Sequence, residues 1–460
     1  MIEDNLLPEG FIKMALATFG ADDARILLEA LRREPETSLR VNSHKTSISD
    51  FYPDMEEVPW CKSAFYLKQR PRFTMNPLLH AGAFYVQDAS STVYETIVRN
   101  LGFDAPVRAA DLCAAPGGKT TAVLNALPEG SVMLANEFVA ARAGILKENL
   151  CKYGYPDVVI TNSDVSRLSA MSACFDLVTV DAPCSGEGMM RKEETARTQW
   201  SEGLVAQCAS LQREIIDNAV EMLAPGGYLI YSTCTFNTLE DEDNAAYIAD
   251  TYGLTPVDTG LAGKYGIRSE TKGNISCLRF MPGFTRGEGL FVAVFQKEET
   301  TTAGSSGRKQ KKGERKSRNR IDARLLSLAQ SWVAPGMEIR QHMERLLALS
   351  PAAAGLLDRI PKDVRIVSAG VEAGEIKGKD LVPAHQLALS TCLSQVFPQI
   401  ALSEEDAVSY LSRDAVVLPA DTPRGFVIVT FRGLPLGFVK NLGNRSNNLY
   451  PQEYRIRTKG

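Results

Sequence analysis

Histidine is scarce in this chain. Only four occur in 460 residues, His44, His80, His342 and His385, and no two share a His-x-x-x-His spacing. That leaves little for a histidine metal site or a histidine general base, and no metal is expected. No run of about 18 apolar residues is present, so no membrane span is predicted. Residues Met1–Glu9 place acids before the first apolar run, the wrong order for a secretory signal. Nine cysteines are scattered, odd in number and never spaced Cys-x-x-Cys, which argues against a disulfide framework or structural zinc and for a reducing cytoplasm. The Gly-x-Gly-x-x-Gly fingerprint is missing, so NAD and FAD have no cradle. Gly118-Lys119-Thr120 ends like a phosphate-binding loop, but Cys113 stands where that loop needs its first glycine, which disfavours an NTPase.

What is present is an ordinary globular composition, 44% hydrophobic and 23% charged, over a length that implies two or three domains. The net charge of −4 is unevenly spread. Arg308–Arg320 carries eight basic residues and one acid, leaving about −11 on the remainder. Such a run is either a solvated linker or a salt-dependent phosphate contact.

The first region predicts a helix over Phe11–Arg33, a strand at TSLRVN, and a loop leading into a helix at GAFYVQDASS, together a small α/β unit ending near Asn100. From Val107 short apolar runs alternate with helical patterns: VRAADLC, SVMLANE, VVITNSD, FDLVTVDAPC and GYLIYSTC, with LFVAVFQ closing the segment at 290–296. That rhythm predicts a parallel, doubly wound sheet, whose ligands bind beyond the carboxyl ends of the strands. The third region reads as helical over Ile321–Leu349, then strand-rich at AVVLPA, GFVIVTFR and LGFVKNLG, a small α+β unit.

All five strand ends carry polar or reactive residues. The first leads into a tight turn, Cys113, Ala114, Ala115, Pro116, Gly117, Gly118 and Lys119, small enough for close backbone approach. Glu137 ends the second and could hold both ribose hydroxyls; Asp164 follows the third and could accept from an adenine amino group. A lone strand-end acid is as readily a helix cap. Three successive strand ends, the small-residue turn and these two acids, suit an adenosyl ligand without phosphates. The fourth and fifth strands lead to Asp181, Cys184 and Cys234. Two thiols beside such a ligand suggest one reaction class. C5 of cytosine has no lone pair, so it becomes a nucleophile only after a thiolate adds to C6, and a base must later remove the C5 proton. Asp181 could stabilise charge at N3. Lys119, Lys192 or the ligand's own sulfonium could support the thiolate. Spacing alone does not say which cysteine attacks. The other cysteines, Cys61, Cys151, Cys174, Cys208, Cys277 and Cys392, read as small hydrophobes.

DLCAAPGGKTT, ANE with Arg142, NSD, DAPCSGEGMMRK and YSTCT…EDEDN, in this order, resemble the motifs of the RNA cytosine-5 methyltransferases of the Nol/Nop/Sun family. GEIKGKDLVPAHQLAL and LGFVKNLGNRSNNLYPQEYRIR resemble the PUA-like, RNA-binding end of the bacterial RsmF type, which acts on 16S ribosomal RNA. The resemblance implies a Rossmann-like class I fold binding S-adenosylmethionine, a small N-terminal α/β domain and a C-terminal PUA-like α+β domain. It implies that Cys234 attacks and Cys184 assists release, with Lys119 near the target nucleotide. Cofactor contacts carried over are Cys113 through Lys119, Glu137, Asp164 and Asp181. The expected division is 1–100 accessory, 101–298 catalytic, 299–320 linker and 321–460 PUA-like. The expected partner is 16S rRNA or the small ribosomal subunit, met by a cytoplasmic monomer. Transfer RNA or 23S rRNA as target, and a non-catalytic assembly factor, are the alternatives.

Overall fold

The computed structural model describes residues 7–46, 55–273, 275–299 and 322–457; the basic run Arg308–Arg320 lies outside them. At the centre is one mixed sheet. In chain order its strands are β1 (Arg108–Asp111), β2 (Val132–Asn136), β3 (Val158–Asn162), β4 (Phe175–Asp181), β5 (Leu223–Thr233), β6 (Thr255–Pro256), β7 (Arg268–Lys272), β8 (Ile275–Phe280), β9 (Leu290–Gln296) and β10 (Arg365–Ala369). They lie in the order β7-β8-β9-β5-β4-β1-β2-β3-β10, with β6 beside β9. The five predicted strands, β1 to β5, are mutually parallel, while β9 returns antiparallel to β5.

These strands read as unbroken apolar runs because helices cover both faces. Successive residues serve opposite cores. Val132 and Leu134 join Ile216, Ala219 and Leu356 on one side. Met133 and Ala135 join Val93, Ile97, Val123 and Leu146 on the other. The antiparallel β10 comes from the third region and pairs with β3, so the chain beyond residue 322 completes this sheet. No helix among the described residues is long and apolar enough to cross a membrane.

Flanking sheets depart from the sequence reading at three places. Phe84–Val86 is a strand paired with Thr37–Val41, not a loop, and the helix begins later at Val93. The helix predicted over Ile321–Leu349 runs only through Ala323–Ser331. Pro335 and Gly336 stop it, the one lacking an amide donor and the other at φ +88°, and a hairpin of Glu338–His342 and Arg345–Leu349 follows. AVVLPA forms no strand: Val416 is buried and its carbonyl accepts from the Ser446 hydroxyl, a side-chain bond in place of a ladder, and Val417 is 92% exposed. GFVIVTFR and LGFVKNLG do form adjacent antiparallel strands, Gly425–Phe431 and Leu434–Asn441. The first and last regions share a core in which Leu39, Phe65 and Phe84 meet Tyr410, Val427 and Tyr450.

Candidate active site

Asp181 of β4 lies level with Ser232 of β5, so the chain leaves both strands at one edge. Cys184 follows β4 by three residues and Cys234 follows β5 directly. Their sulfurs are 3.1 Å apart, and both residues are half-buried. The loops bearing them are held by buried acids. Glu240 accepts from the Ser185 amide (3.0 Å), Gln212 Nε2 (2.7 Å) and Asn237 Nδ2 (2.9 Å), and from the Ser185 hydroxyl. Glu187 accepts from the Phe236 and Asn237 amides (2.6 and 3.0 Å) and from Trp200 Nε1 (3.0 Å). Burial pushes Glu187 up to about 7 and raises Glu240, against the donated hydrogen bonds that favour the carboxylates. Each acid belongs to one loop and grips the other, so the sulfur pair sits in a cross-braced frame. The Gly188 amide donates to the Cys234 carbonyl at 2.8 Å, completing the brace.

Lys119 Nζ donates to Asp181 Oδ1 at 2.7 Å. Ser232 Oγ donates to the same oxygen at 2.8 Å and accepts from the buried Tyr94 hydroxyl at 2.7 Å. Burial works to lower Lys119, but the Asp181 carboxylate, followed by the two sulfurs, carries it above its ordinary value. Lys119 is therefore a cation fixed beside the thiols. Lys192 is not: it pairs with Glu288 at 2.9 Å. The Cys184 thiol is pushed well up by its hydrogen bond to Cys234 and by burial.

The turn after β1 packs tightly. Gly117 sits at φ +110°, a conformation that penalises any side chain. The Ala114 amide donates to Asn136 O (2.8 Å), Arg142 to Ala115 O (2.7 Å) and Asn149 to Pro116 O (2.8 Å). Beneath it Asp111 accepts from Thr120 at 2.6 Å, and burial pushes it up to about 7. Cys113 is raised by burial. Glu137 is buried, accepts from the Val139 amide (2.8 Å) and lies 3.7 Å from Arg142. Asp164 is exposed and caps the helix Val165–Leu168, accepting from the Ser166 amide at 2.9 Å and its hydroxyl at 2.7 Å, which lower its pKa. Beside Glu137 stands Phe138, 67% exposed. An aromatic ring left open among strand-end acids is an apolar platform next to hydrogen-bond acceptors.

The structure thus brings Cys184, Cys234, Asp181 and Lys119 into one group, with Cys113–Gly118, Glu137 and Asp164 along the same sheet edge. Sequence reasoning missed Glu187, Glu240, Ser232, Tyr94 and Phe138. Three of these, Glu187, Ser232 and Glu240, lay in the quoted motifs DAPCSGEGMMRK and YSTCT…EDEDN without being assigned a role.

The fold and this edge define a Rossmann-like methyltransferase. Residues 105–296 match the family model for 16S rRNA methyltransferase RsmB/F, residues 7–89 that for the N-terminal domain of 16S rRNA methyltransferase RsmF, and residues 397–456 that for the methyltransferase RsmF PUA domain. Ribosomal RNA small subunit methyltransferase F of Escherichia coli O81 is 30% identical over 457 residues, covering 95% of this chain and 93% of the relative. The protein of that name from Shewanella loihica is 29% identical over 90% of this chain and 88% of its own length. The chain belongs to the ribosomal RNA small subunit methyltransferase F family. Among solved structures, a methyltransferase homologue from Pyrococcus horikoshii superposes with a TM-score of 0.55 at 25% identity, covering 64% of this chain and 96% of that one. NSun6 from the same organism gives 0.55 at 19%, covering 63% and 98%, a likeness of fold.

Proposed function

We propose that this protein transfers a methyl group from S-adenosylmethionine to C5 of a cytosine in 16S rRNA, through a covalent bond between Cys234 and C6. The observation that carries the reading is the 3.1 Å approach of two thiols at the ligand-binding edge of a methyltransferase sheet. Methyl transfer to oxygen or nitrogen has no use for a sulfur pair, whereas C5 of cytosine needs one sulfur to add and release.

The turn Cys113–Gly118, Glu137 and Asp164 fit the cofactor: a close-approach turn, acids for the ribose and the adenine amine, and the open Phe138 ring to cover. When bound, the cofactor supplies an electrophilic methyl on a sulfonium. The rest falls to the chain. Lys119, held charged by Asp181, faces the thiolate charge at Cys234. As that sulfur bonds to C6, electrons move into the ring. Lys119 can donate toward it, while Asp181, already accepting from Lys119 and Ser232, orients the pair. Bonding of Cys234 to C6 also removes the hydrogen bond that holds Cys184 as a thiol. Cys184 then gives up its proton to solvent more readily, and its thiolate takes the C5 proton; the C5–H electron pair re-forms the C5–C6 double bond as the C6–S bond breaks and Cys234 leaves as a thiolate.

The target base must leave its stack to reach both sulfurs, so unpaired RNA is the substrate form. Residues 1–100 and 321–460 would bind RNA on either side of the catalytic 101–298, with 299–320 as connector, in a cytoplasmic monomer.

The test is methyl transfer from labelled cofactor to deproteinised 16S rRNA and to small subunits, with bisulfite sequencing of the product. Label in 5-methylcytosine of 16S rRNA is expected. Label only in transfer RNA or 23S rRNA would move the target, and RNA binding without incorporation would replace the enzyme with an assembly factor.

A further inference from the structure

A cavity of about 270 Å³ opens between the N-terminal sheet and the helix Ala140–Tyr153. Its wall includes three cations, Arg40, Arg70 and Lys152, four aromatic residues, among them Phe73 and Tyr85, and the amide of Asn149; no carboxylate lines it. Ligand pockets start at about 300 Å³, so this one suits no more than the base and sugar of a single nucleotide, with the phosphate left outside at the exposed Arg70.

The cations differ in how far they are spoken for. Lys152 pairs with Glu148 at 2.5 Å. Arg40 is buried, bonded to Gln87 (3.0 Å) and Thr121 (2.6 Å), but its Nη1 is buried without a hydrogen-bond partner, 3.7 Å from Glu95. Arg70 is exposed, with its guanidinium 5.5 Å from the Phe73 ring centre. An anion entering here meets the exposed Arg70 guanidinium, and a flat ring beside it meets aromatic surface.

The cavity is also mechanically continuous with the catalytic edge. Tyr85 Oη and Asn149 Nδ2 both donate to Pro116 O in the turn that carries Lys119 three residues later, and Arg40 holds Thr121 in the helix that follows. One segment, Pro116–Thr121, is therefore hydrogen-bonded to three residues of the cavity wall and also carries Lys119, which pairs with Asp181.

We propose that this cavity holds one unpaired nucleotide of the substrate RNA, outside the target cytosine, with its base against Phe73 or Tyr85 and its phosphate at Arg70. This rests on the RNA methyltransferase reading above. Charge fixes the backbone, stacking tolerates any base, and the shared turn sets how far along the strand the target lies.

Full-length Arg70→Ala tests it, since Arg70 is exposed and lies outside the catalytic group. The expected result is a KM for 16S rRNA raised about tenfold at unchanged kcat and cofactor affinity, and a log-log salt slope of RNA binding shallower by about one. Arg70→Lys should recover part of the loss. Ultraviolet cross-linking should place RNA on the peptides containing Phe73 or Tyr85. Wild-type binding and salt slope in Arg70→Ala, with cross-links elsewhere, would overturn the proposal. So would protection of these peptides by AMP or inorganic phosphate as effective as by RNA, which would make this a small-anion site. If cross-links and salt slope behave as expected but no methyl group is transferred, the nucleotide site stands and the catalytic reading fails.

Discussion

Replacing Cys234 with alanine is expected to lower methyl transfer by a factor on the order of 10³ or more, while cofactor and RNA still bind. Without a sulfur on C6 the ring has no electron pair to offer at C5, and no other group at the site can restore it. Cys184 is only 3.1 Å away but cannot take over, because its loop is pinned by Glu240 and Glu187 and holds the sulfur at its own position beside the ring. Initial rates with labelled cofactor, beside equilibrium binding of both substrates, measure this. Substantial turnover in Cys234→Ala together with a dead Cys184→Ala would exchange the two roles.

The second large effect is expected at a residue with no reactive group. A methyl added at Gly188 would lie 2.8 Å from Gly289 O, 2.9 Å from Gly289 Cα and 3.0 Å from Cys234 O. All three are backbone atoms, so no side chain can swing aside, and the Gly188–Cys234 hydrogen bond must open. The loop carrying Cys184 would be displaced from the strand end carrying Cys234. Gly188→Ala should lose about 100-fold in kcat, as misplacement by about 1 Å can cost, with cofactor affinity kept and stability lowered by about 1–3 kcal/mol. Gly144→Ala is the control: a Cβ there meets nothing within 4 Å, and full activity is expected. Equal losses at both positions would mean that the close approach at Gly188 plays no special part.

Gly188 also illustrates what a sequence can carry. β1 to β5 were legible because a strand buried on both faces is an apolar run whatever its partners, and the helices between them keep their own period. The strand-end residues followed from that, since parallel strands share one edge. Asp164 was legible twice over, as a cap and as a strand-end acid, and its two hydrogen bonds to Ser166 make the first of these a fact. The hidden features depend on pairing between distant segments. β10 became a sheet strand only because β3 offers it an open edge some 200 residues earlier in the chain, the separation of Arg365 from Asn162. TLEDEDN has the composition of a solvated turn, yet Glu240 and Asp241 are fully buried, the one gripping the Ser185 loop and the other paired with the buried Arg279 at 2.7 Å. Which group supports the thiolate is a matter of tertiary contacts that no sequence pattern carries: Lys192 pairs with Glu288 and Lys119 with Asp181.

The most direct measurement is made on Cys184→Ala incubated with 16S rRNA and cofactor, then run under denaturing conditions and digested for mass spectrometry. If Cys234 attacks C6 and Cys184 removes the C5 proton, a methylated cytosine should remain bonded to the enzyme, and the modified peptide should contain Cys234. Release of free 5-methylcytosine at the wild-type rate, with no adduct at any time, would contradict the account.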